Sequence, residues 1–211
     1  MTKKQKAAEI IKLLKKEYPE VKCALNYSKP HELLIATRLS AQCTDKRVNL
    51  VTPELFKRFP EIADYANAEV SEIEKYIESC GLFRTKAKDI SLVCVMLHEK
   101  YNDVIPDTVE ELVKLPGVGR KTANLILGDV FKIPGSTVVD THCIRISNRL
   151  GLVDDLKDPV KIEHELRKIL PPEHSSDFCH CIVLHGRAVC DARKPDCAHC
   201  CVKHLCKSFS G

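Results

Sequence analysis

The stretch LPGVGRK at residues 115–121 decides how the chain around it folds. Residues 108–115 predict one helix before it, and an apolar run from Arg120 to about Val130 predicts a second helix after it. Between them, the sequence PGVG predicts a tight turn, because glycine adopts positive φ and leaves no Cβ in the way of a ligand. The stretch therefore predicts a helix–hairpin–helix.

The turn and the start of the second helix together predict an anion site. Backbone N–H groups of such a turn, added to the positive end of a helix, attract phosphate. Because the chain is basic and has no Walker lysine-serine pattern, a nucleic-acid phosphate contacted without sequence preference is the expected ligand. We expect the contacts from Gly117, Val118, Gly119 and Arg120. On this motif alone, an ordinary turn in which the glycines only cap the first helix remains open.

Lys121 stands in the first turn of the second helix, where the helix dipole disfavours a cation. It shares a small, polar helix face with Asn124 and Gly128, away from the apolar flanks. The dipole favours the uncharged amine, and only an uncharged amine attacks carbon. Lys121 is therefore a candidate nucleophile, although by position alone it could also contact phosphate as Arg120 does.

A carboxylate follows the second helix at Asp140, in the sequence VVDTH. The helix beyond Lys121 advances by about 12 Å, and the extended residues after the Pro-Gly turn cover about 17 Å on the way back. Asp140 can thus return beside Lys121. It is equally compatible with a plain N-cap of the next helix, and the two roles do not exclude each other.

The composition is that of an ordinary globular protein, with 211 residues, of which 44% are hydrophobic and 29% charged. The net charge is +4, and both ends are basic. Residues 1–22 carry seven Lys against three Glu, and residues 186–211 carry five Lys or Arg against two Asp. A polyanionic partner is permitted rather than required.

The N-terminal segment predicts an amphipathic helix whose core stripe has the spacing i, i+3, i+4, i+7. That stripe consists of Ala7, Ile10, Ile11 and Leu14. Lysines interrupt the apolar residues, so no signal-peptide core and no membrane span is expected. We expect a prokaryote-like cytoplasmic protein, associated with the nucleoid and without a targeting segment. A helix lying on a membrane surface is the less favoured alternative.

Twelve cysteines in a chain without an export signal indicate a metal centre rather than a disulfide framework. Four of them form the pattern C-x6-C-x2-C-x5-C, namely Cys190, Cys197, Cys200 and Cys206. Four such thiolates could hold zinc or a four-iron, four-sulfur cluster, and the cysteine spacing does not distinguish between the two. His199, His204 and Cys201 leave mixed zinc ligation open. A metal would also order the loop that carries Arg193 and Lys194, where both could meet phosphate.

Helical periodicity dominates the rest of the chain, and no strand pattern is convincing. Apolar residues at helical spacing occur at Ile90, Val93, Cys94 and Leu97, and again at Ile162, Leu166, Ile169 and Leu170. Asp45 is a candidate cap for a helix that runs to Phe59, and Asp107 or Thr108 for the helix that precedes the hairpin. The sequence predicts an all-α protein of about ten short helices, with an internal boundary at residues 132–136.

Several motifs together resemble the endonuclease III family of DNA glycosylases. They are LPGVGRK, VVDTH with its aspartate nineteen residues past the lysine, HGRAVC, and the four-cysteine pattern. The resemblance extends to LSAQCTDKRVN and CGLFRTKA and covers nearly the whole chain. A helix–hairpin–helix alone is common to many DNA-binding proteins. Its combination with this lysine, this aspartate and this cysteine spacing is highly specific.

The resemblance implies a two-lobed helical DNA glycosylase fold. A six-helix barrel domain is expected at residues 22–132, with the helix–hairpin–helix at about 108–130. An iron-sulfur domain is expected from residues 1–21 plus 133–211. Double-stranded DNA with damaged bases or abasic sites would bind in the cleft between the lobes of a monomer.

The resemblance also implies an activity, which is removal of oxidised pyrimidines from duplex DNA with associated AP lyase cleavage. The family's lysine, matched here by Lys121, attacks C1′, expels the base and forms a Schiff base that permits β-elimination. The family's aspartate, matched by Asp140, stabilises positive charge at the sugar. The four matched cysteines would hold a 4Fe–4S cluster.

Two further residues match family positions that enter the DNA stack when the damaged nucleotide is flipped out. They are Gln42 and Leu82. In isolation, Gln42 would be an ordinary surface residue and Leu82 a contact at a helix end. The chain departs from the pattern at Cys43, where another small residue is expected, at the extra thiol Cys201, and in having no Trp.

There are two alternatives, of which the first is another DNA glycosylase and the second belongs to a different class of protein. An adenine-mismatch DNA glycosylase shares the barrel, the aspartate and the cluster, but lacks the hairpin lysine and carries a further C-terminal domain. A non-catalytic helix–hairpin–helix module with structural zinc would bind DNA without reacting. Visible absorption would separate an iron-sulfur cluster from colourless zinc.

Overall fold

The computed structural model describes residues 1–209, and within that range the chain is helical and contains no β-strand. The α-helices are α1 Lys3–Glu17, α2 Pro30–Leu39, α3 Asp45–Arg58, α4 Ile62–Ala66, α5 Val70–Ile77, α6 Phe83–Tyr101, α7 Val109–Leu112, α8 Arg120–Asp129, α9 Thr141–Leu150, α10 Pro159–Ile169 and α11 Ser175–Ala188. Single 3₁₀ turns span Pro172–His174 and Lys203–Leu205. The expected all-α fold class is confirmed.

The chain divides into two compact units. We name Cys23–Val130 the hairpin unit, and Met1–Lys22 together with Phe131–Gly211 the cysteine unit. The domain boundaries expected from the sequence, 22–132 and 1–21 plus 133–211, stay a prediction.

The hairpin unit is built around α6, which packs against α2, α4 and α5. The apolar stripe predicted in this helix is buried, with Ile90 and Leu97 fully inaccessible to solvent and Val93 and Cys94 nearly so. Its periodicity was therefore a sound predictor, because an amphipathic helix gains most of its stability from burying one face.

Of two helix starts in this unit, that of α3 differs from the sequence expectation, whereas that of α7 has one of the two expected caps. Thr44, rather than Asp45, is the N-cap of α3, and its Oγ1 accepts a hydrogen bond from Arg47 N at 3.2 Å. Asp45 lies inside the first turn, where its charge favours the helix N-terminus. Before the hairpin, Thr108 is the N-cap of α7 and accepts from Glu111 N at 3.3 Å.

The helix predicted at residues 108–115 is shorter than expected, since α7 ends at Leu112. Lys114 N donates to Glu111 O, and Leu115 N donates to Leu112 O, both at 3.1 Å. These bonds span three residues rather than four, which is the tighter 3₁₀ pattern. The following Pro116 disfavours further α conformation at the residue before it.

The cysteine unit buries the predicted stripe of α1, with Ala7, Ile10 and Leu14 fully inaccessible. This helix packs against α10 and α11, and α9 also packs against α11. Gly186, in the HGRAVC motif, lies where a Cβ would be 2.3 Å from His142 Nδ1, so the close approach of α9 and α11 requires glycine there. No helix within residues 1–209 is both long and apolar enough to cross a membrane.

Candidate functional site

The hairpin residues form the predicted turn. Gly117 adopts φ +72°, which favours glycine, and Val118 N donates to Leu115 O at 3.1 Å. Gly119 is the N-cap of α8, with an extended backbone at φ −94°. The side chain of Val118 is buried, so Val118 shapes the turn from the inside, whereas Gly119 is exposed.

Lys121 is exposed in the first turn of α8 and lines a pocket of 370 Å³ inside the hairpin unit. Gln42 and Gly117 line the same pocket. The candidate nucleophile, a hairpin glycine and a residue expected to enter the DNA stack therefore line one pocket. The volume falls in the range of small-molecule sites, roughly 300 to 1,000 Å³.

The small, polar face expected next to Lys121 is only partly present. Asn124 is buried, and its Nδ2 donates to Arg120 O at 3.1 Å. Gly128 is also buried. Among the three residues of that face only Lys121 is exposed, because the remainder of α8 packs into the unit.

Arg38 and Asp89 were missed by sequence reasoning. They form an ion pair that lines the same pocket as Lys121. Arg38 Nε lies 3.6 Å from the position of a Cβ built on Gly117, which places the guanidinium against the hairpin backbone. Within the described residues, Arg38 Nε is buried without a hydrogen-bond partner. No motif or periodicity in the sequence signals this pair.

Gln42 and Leu82 both have left-handed backbone conformations, with φ +53° and +59°. Both side chains are exposed, and Leu82 retains 61% of its accessible surface. Gln42 O lies 3.6 Å from the position of a Cβ built on Gly81, so the loops that carry the two residues are adjacent. Non-glycine residues in this conformation are uncommon and concentrate at functional sites.

Asp140 belongs to the cysteine unit, where it is the N-cap of α9. Its Oδ1 accepts a hydrogen bond from Cys143 N at 2.8 Å. The N-cap that the sequence left open is therefore formed. Asp140 is half-buried, and one carboxylate oxygen is sufficient for the cap.

The four cysteines of the C-x6-C-x2-C-x5-C pattern all line one cavity of 130 Å³ in the cysteine unit. All four are partly buried, and none forms a disulfide. In residues 1–209, no three His, Cys, Asp or Glu side chains come close enough to hold a single metal ion. The thiols thus surround a space rather than converge on one point.

Polar groups also face these thiols. Arg149 Nη1 donates to Cys190 Sγ at 3.4 Å, and His185 Nε2 lies 3.4 Å from Cys200 Sγ. On the other side of the ring, His185 Nδ1 lies 3.1 Å from Tyr18 Oη. Burial lowers the pKa of His185 and raises that of Tyr18 to about 12, and burial raises the pKa of Cys200 to about 11.

Arg193 and Lys194 lie in the loop after Cys190 with both side chains exposed. Asp191 Oδ1 accepts hydrogen bonds from Arg193 N at 2.8 Å and from Lys194 N at 3.1 Å. These two bonds lower the pKa of Asp191. The loop backbone is thereby held by its own carboxylate, and the two cations point outward.

Comparison with known families assigns residues 35–172 to the HhH-GPD superfamily of base excision DNA repair proteins. Endonuclease III of Synechocystis sp. is 49% identical over 98% of this chain and 94% of its own length. Endonuclease III of Escherichia coli K12 is 40% identical over 97% of this chain and 96% of its own length.

Solved structures agree with these relatives. A trapped endonuclease III–DNA covalent intermediate superposes with a TM-score of 0.90 at 42% identity, covering 99% of this chain and 97% of that one. A thermostable thymine-DNA glycosylase, 21% identical with a TM-score of 0.87, shares the fold. None of these matches favours the adenine-mismatch or the zinc-module alternative. The chain belongs to the endonuclease III family of bifunctional DNA glycosylase/AP lyases.

Proposed function

We propose that this protein removes oxidised pyrimidines from duplex DNA and nicks the resulting abasic site, with Lys121 as the nucleophile. The observation that carries the proposal is the position of Lys121. It is an exposed lysine at the start of α8 that shares a pocket with Gln42 and the hairpin glycine Gly117.

The chemistry requires an amine beside an anomeric carbon. Lys121 Nζ forms a bond to C1′ as the bond from C1′ to the base breaks, and the departing base takes up a proton. Opening of the sugar ring then gives an imine. The imine acidifies C2′, so loss of a C2′ proton expels the 3′ phosphate and nicks the strand.

Asp140 supplies a negative charge to this reaction. Bond breaking at C1′ develops oxocarbenium character, which a carboxylate stabilises more strongly in the transition state than in the ground state. The N-cap bond from Cys143 N fixes the orientation of the side chain through Oδ1. The second oxygen is not required for that bond.

Gln42 and Leu82 fill the gap that a flipped nucleotide leaves. Flipping costs a few kcal/mol, and damaged pairs lower that cost. An exposed apolar side chain such as Leu82 is suited to act as a wedge between bases. The left-handed backbone at both residues supports this role, since such strain persists where a side chain must be aimed.

The four thiols fit a 4Fe–4S cluster better than a zinc ion. Zinc requires four ligands that converge on one point at about 2.0–2.3 Å, whereas Cys190, Cys197, Cys200 and Cys206 surround a cavity. When bound, the cluster would cross-link the C-terminal segment through four Fe–S bonds. Arg193 and Lys194, on a loop within that segment, are then placed to contact phosphate.

The remaining contacts are to the DNA backbone. Gly119 and Arg120, with Gly117 and Val118 shaping the turn, present the helix N-terminus to a phosphate. We propose that the protein acts on the nucleoid as a cytoplasmic monomer, and the bacterial origin of its endonuclease III relatives supports the cytoplasmic location. The trapped endonuclease III–DNA covalent intermediate supports the covalent route, because its scaffold matches this chain over nearly the full length.

Borohydride trapping on duplex DNA with one abasic site tests the proposal. Borohydride reduces an imine to a stable amine, so the wild-type protein should become covalently attached to DNA. Lys121→Gln should lose the adduct and strand cleavage while it binds the same duplex with an affinity within about threefold of wild type, since one phosphate contact at most is removed.

Lys114→Gln is the matched control. Lys114 is an exposed lysine seven positions earlier that forms a surface ion pair with Glu111 at 2.5 Å. The control protein should trap as efficiently as wild type. A robust adduct in the Lys121→Gln protein would contradict the role of Lys121.

A further inference from the structure

Two cysteines of the hairpin unit, Cys43 and Cys80, form a thiol pair that the proposed reaction does not use. Their side chains are close enough to interact with each other, and neither is in a disulfide. Cys43 is partly exposed, whereas Cys80 is fully buried. The pair thus has one thiol within reach of solvent and one directly behind it.

Cations surround the pair. Lys86 is fully buried in the same unit, and its Nζ donates to Leu39 O at 2.8 Å. It interacts electrostatically with both thiols, and Arg47 does so with Cys80. These cations favour the thiolate form of Cys80, but burial outweighs them and raises its pKa to about 11.

The thiols lie at the bases of two loops. Cys43 follows Gln42 in the α2–α3 connection, and Cys80 stands two residues before Leu82 in the α5–α6 connection. Both Gln42 and Leu82 have positive φ, and the two connections already approach each other at Gln42 O and Gly81. A covalent bond between the thiols would therefore fix one loop to the other.

We propose that Cys43 and Cys80 are an oxidation site at which hydrogen peroxide forms a disulfide that restrains these two loops. In the first step, Cys43 is oxidised to a sulfenic acid and peroxide is reduced, releasing one water. In the second step, Cys80 Sγ attacks Cys43 Sγ, the sulfenic oxygen leaves as a second water, and the S–S bond forms. Two electrons pass from the sulfur pair to peroxide.

The order of the two steps follows from exposure. Burial raises the pKa of Cys80 to about 11, so its thiol stays protonated and shielded from peroxide. Cys43, which contacts solvent, meets peroxide first. In a reducing compartment the disulfide would be reversed by thiol reductants.

The functional consequence rests on the proposed function. If Gln42 and Leu82 enter the DNA stack, a disulfide between their loops restricts the adjustment that they make on binding. We expect the oxidised protein to cleave a duplex with one oxidised pyrimidine about tenfold more slowly or worse, since misplacement by about 1 Å can cost up to a hundredfold. A thiol reductant should restore the rate.

The experiment treats the cluster-containing protein with hydrogen peroxide while its visible absorption is followed, so that only samples with an intact cluster are analysed. Free thiols are then alkylated, and the protein is digested with trypsin. Cleavage after Lys and Arg places Cys43 in the peptide 39–46 and Cys80 in the peptide 76–84, each with a single cysteine. A linked pair of these peptides, two hydrogens lighter than their sum, is the expected product.

Cys43→Ser should abolish the linked peptides and make the cleavage rate insensitive to peroxide. Cys80→Ala removes the buried thiol of the pair and should have the same two effects. It replaces Cys43→Ser in the experiment if that variant is unstable. Cys23→Ser removes the other partly exposed thiol of the hairpin unit and should behave as wild type. Absence of the linked peptides at an intact cluster would overturn the proposal. The proposal would also be overturned if the disulfide-linked protein cleaved DNA with the same rate constant as the protein with free thiols.

Failure of the proposed function gives a different result. Reduced wild-type protein would then leave the oxidised-pyrimidine duplex uncut, whereas mass spectrometry would still report whether the disulfide forms. The oxidation site and its effect on catalysis are thus judged by separate measurements.

Discussion

The carboxylate of Asp140 has two tasks that a substitution can separate. As an N-cap it accepts a hydrogen bond from Cys143 N, a task that an amide oxygen performs nearly as well. As a catalytic group it must be negatively charged, which an amide cannot be. The sequence left these two interpretations side by side, and the structure establishes only the cap.

We expect Asp140→Asn to unfold with a free energy within about 0.5 kcal/mol of wild type, because Asn caps helices as well as Asp does. Its glycosylase rate constant should fall about a hundredfold, because a charge that stabilises the transition state is lost. Single-turnover kinetics and urea denaturation measure the two effects on the same preparation.

Asp140→Ala is the companion variant. It should lose the same rate and, in addition, about 1 kcal/mol of stability as the cap disappears. An Asn variant that cleaves at the wild-type rate would limit Asp140 to capping.

A residue of the site could be predicted from the sequence only where a recognisable motif contains it. Lys121 and Gln42 were nominated from motifs, and the structure places both at one pocket. Arg38 and Asp89 line that pocket too, yet the two residues are 51 positions apart in the chain and belong to α2 and α6. A long-range ion pair leaves no local spacing, so reasoning from one sequence had no means of finding it.

The two glycines of the hairpin differ in what they contribute. Gly117 is required by the backbone, because its φ of +72° lies in the left-handed region. Gly119 has an ordinary extended conformation, and a Cβ built there would meet nothing within 4 Å. The absence of a side chain at Gly119 therefore matters only for a ligand that approaches the exposed turn from solvent.

Substitution by alanine should therefore affect stability at Gly117 and DNA binding at Gly119. Gly117→Ala is expected to lose about 1–2 kcal/mol of stability, the usual penalty of the left-handed conformation. Gly119→Ala should keep its stability within about 0.5 kcal/mol and bind duplex DNA about fivefold more weakly, which corresponds to roughly one hydrogen bond.

Urea denaturation and fluorescence anisotropy at fixed salt concentration distinguish the two variants. Unchanged DNA affinity in Gly119→Ala would remove Gly119 from the proposed phosphate site. Equal stability of both variants would contradict the backbone argument for Gly117.

Helix existence was predicted better than helix ends. The stripes of α1 and α6 were identified from periodicity because each buries one whole face. The end of α7 was wrong, since the switch to three-residue hydrogen bonds before Pro116 depends on the geometry of the turn. The expected cap of α3 was wrong by one residue, because Thr44 next to Asp45 can also cap a helix.

The two units differ in what holds them together. The hairpin unit has a helical core around α6. The cysteine unit has a helical core as well, but beyond Ala188 its described residues contain only the 3₁₀ turn Lys203–Leu205. That last segment adds Val202 to the core, while its four cysteines face their cavity. Most backbone hydrogen bonds donated by this segment are local, such as Cys206 N to Lys203 O, whereas Ser208 N to Arg149 O reaches the helical core.

Removal of iron should consequently loosen one part of the molecule. We expect amide hydrogen exchange to accelerate in residues 189–209 once the cluster is chelated, with little change in peptides from Cys23–Val130. The melting temperature of the protein should fall by about 2–4 °C for each kcal/mol that the cluster contributes. Cys200→Ser, which removes one ligand, should reproduce the exchange pattern, while Cys94→Ala, a buried thiol of the hairpin unit, should leave residues 189–209 protected. Exchange that accelerates equally in both units, or in neither, would show that the cluster does not order the C-terminal segment.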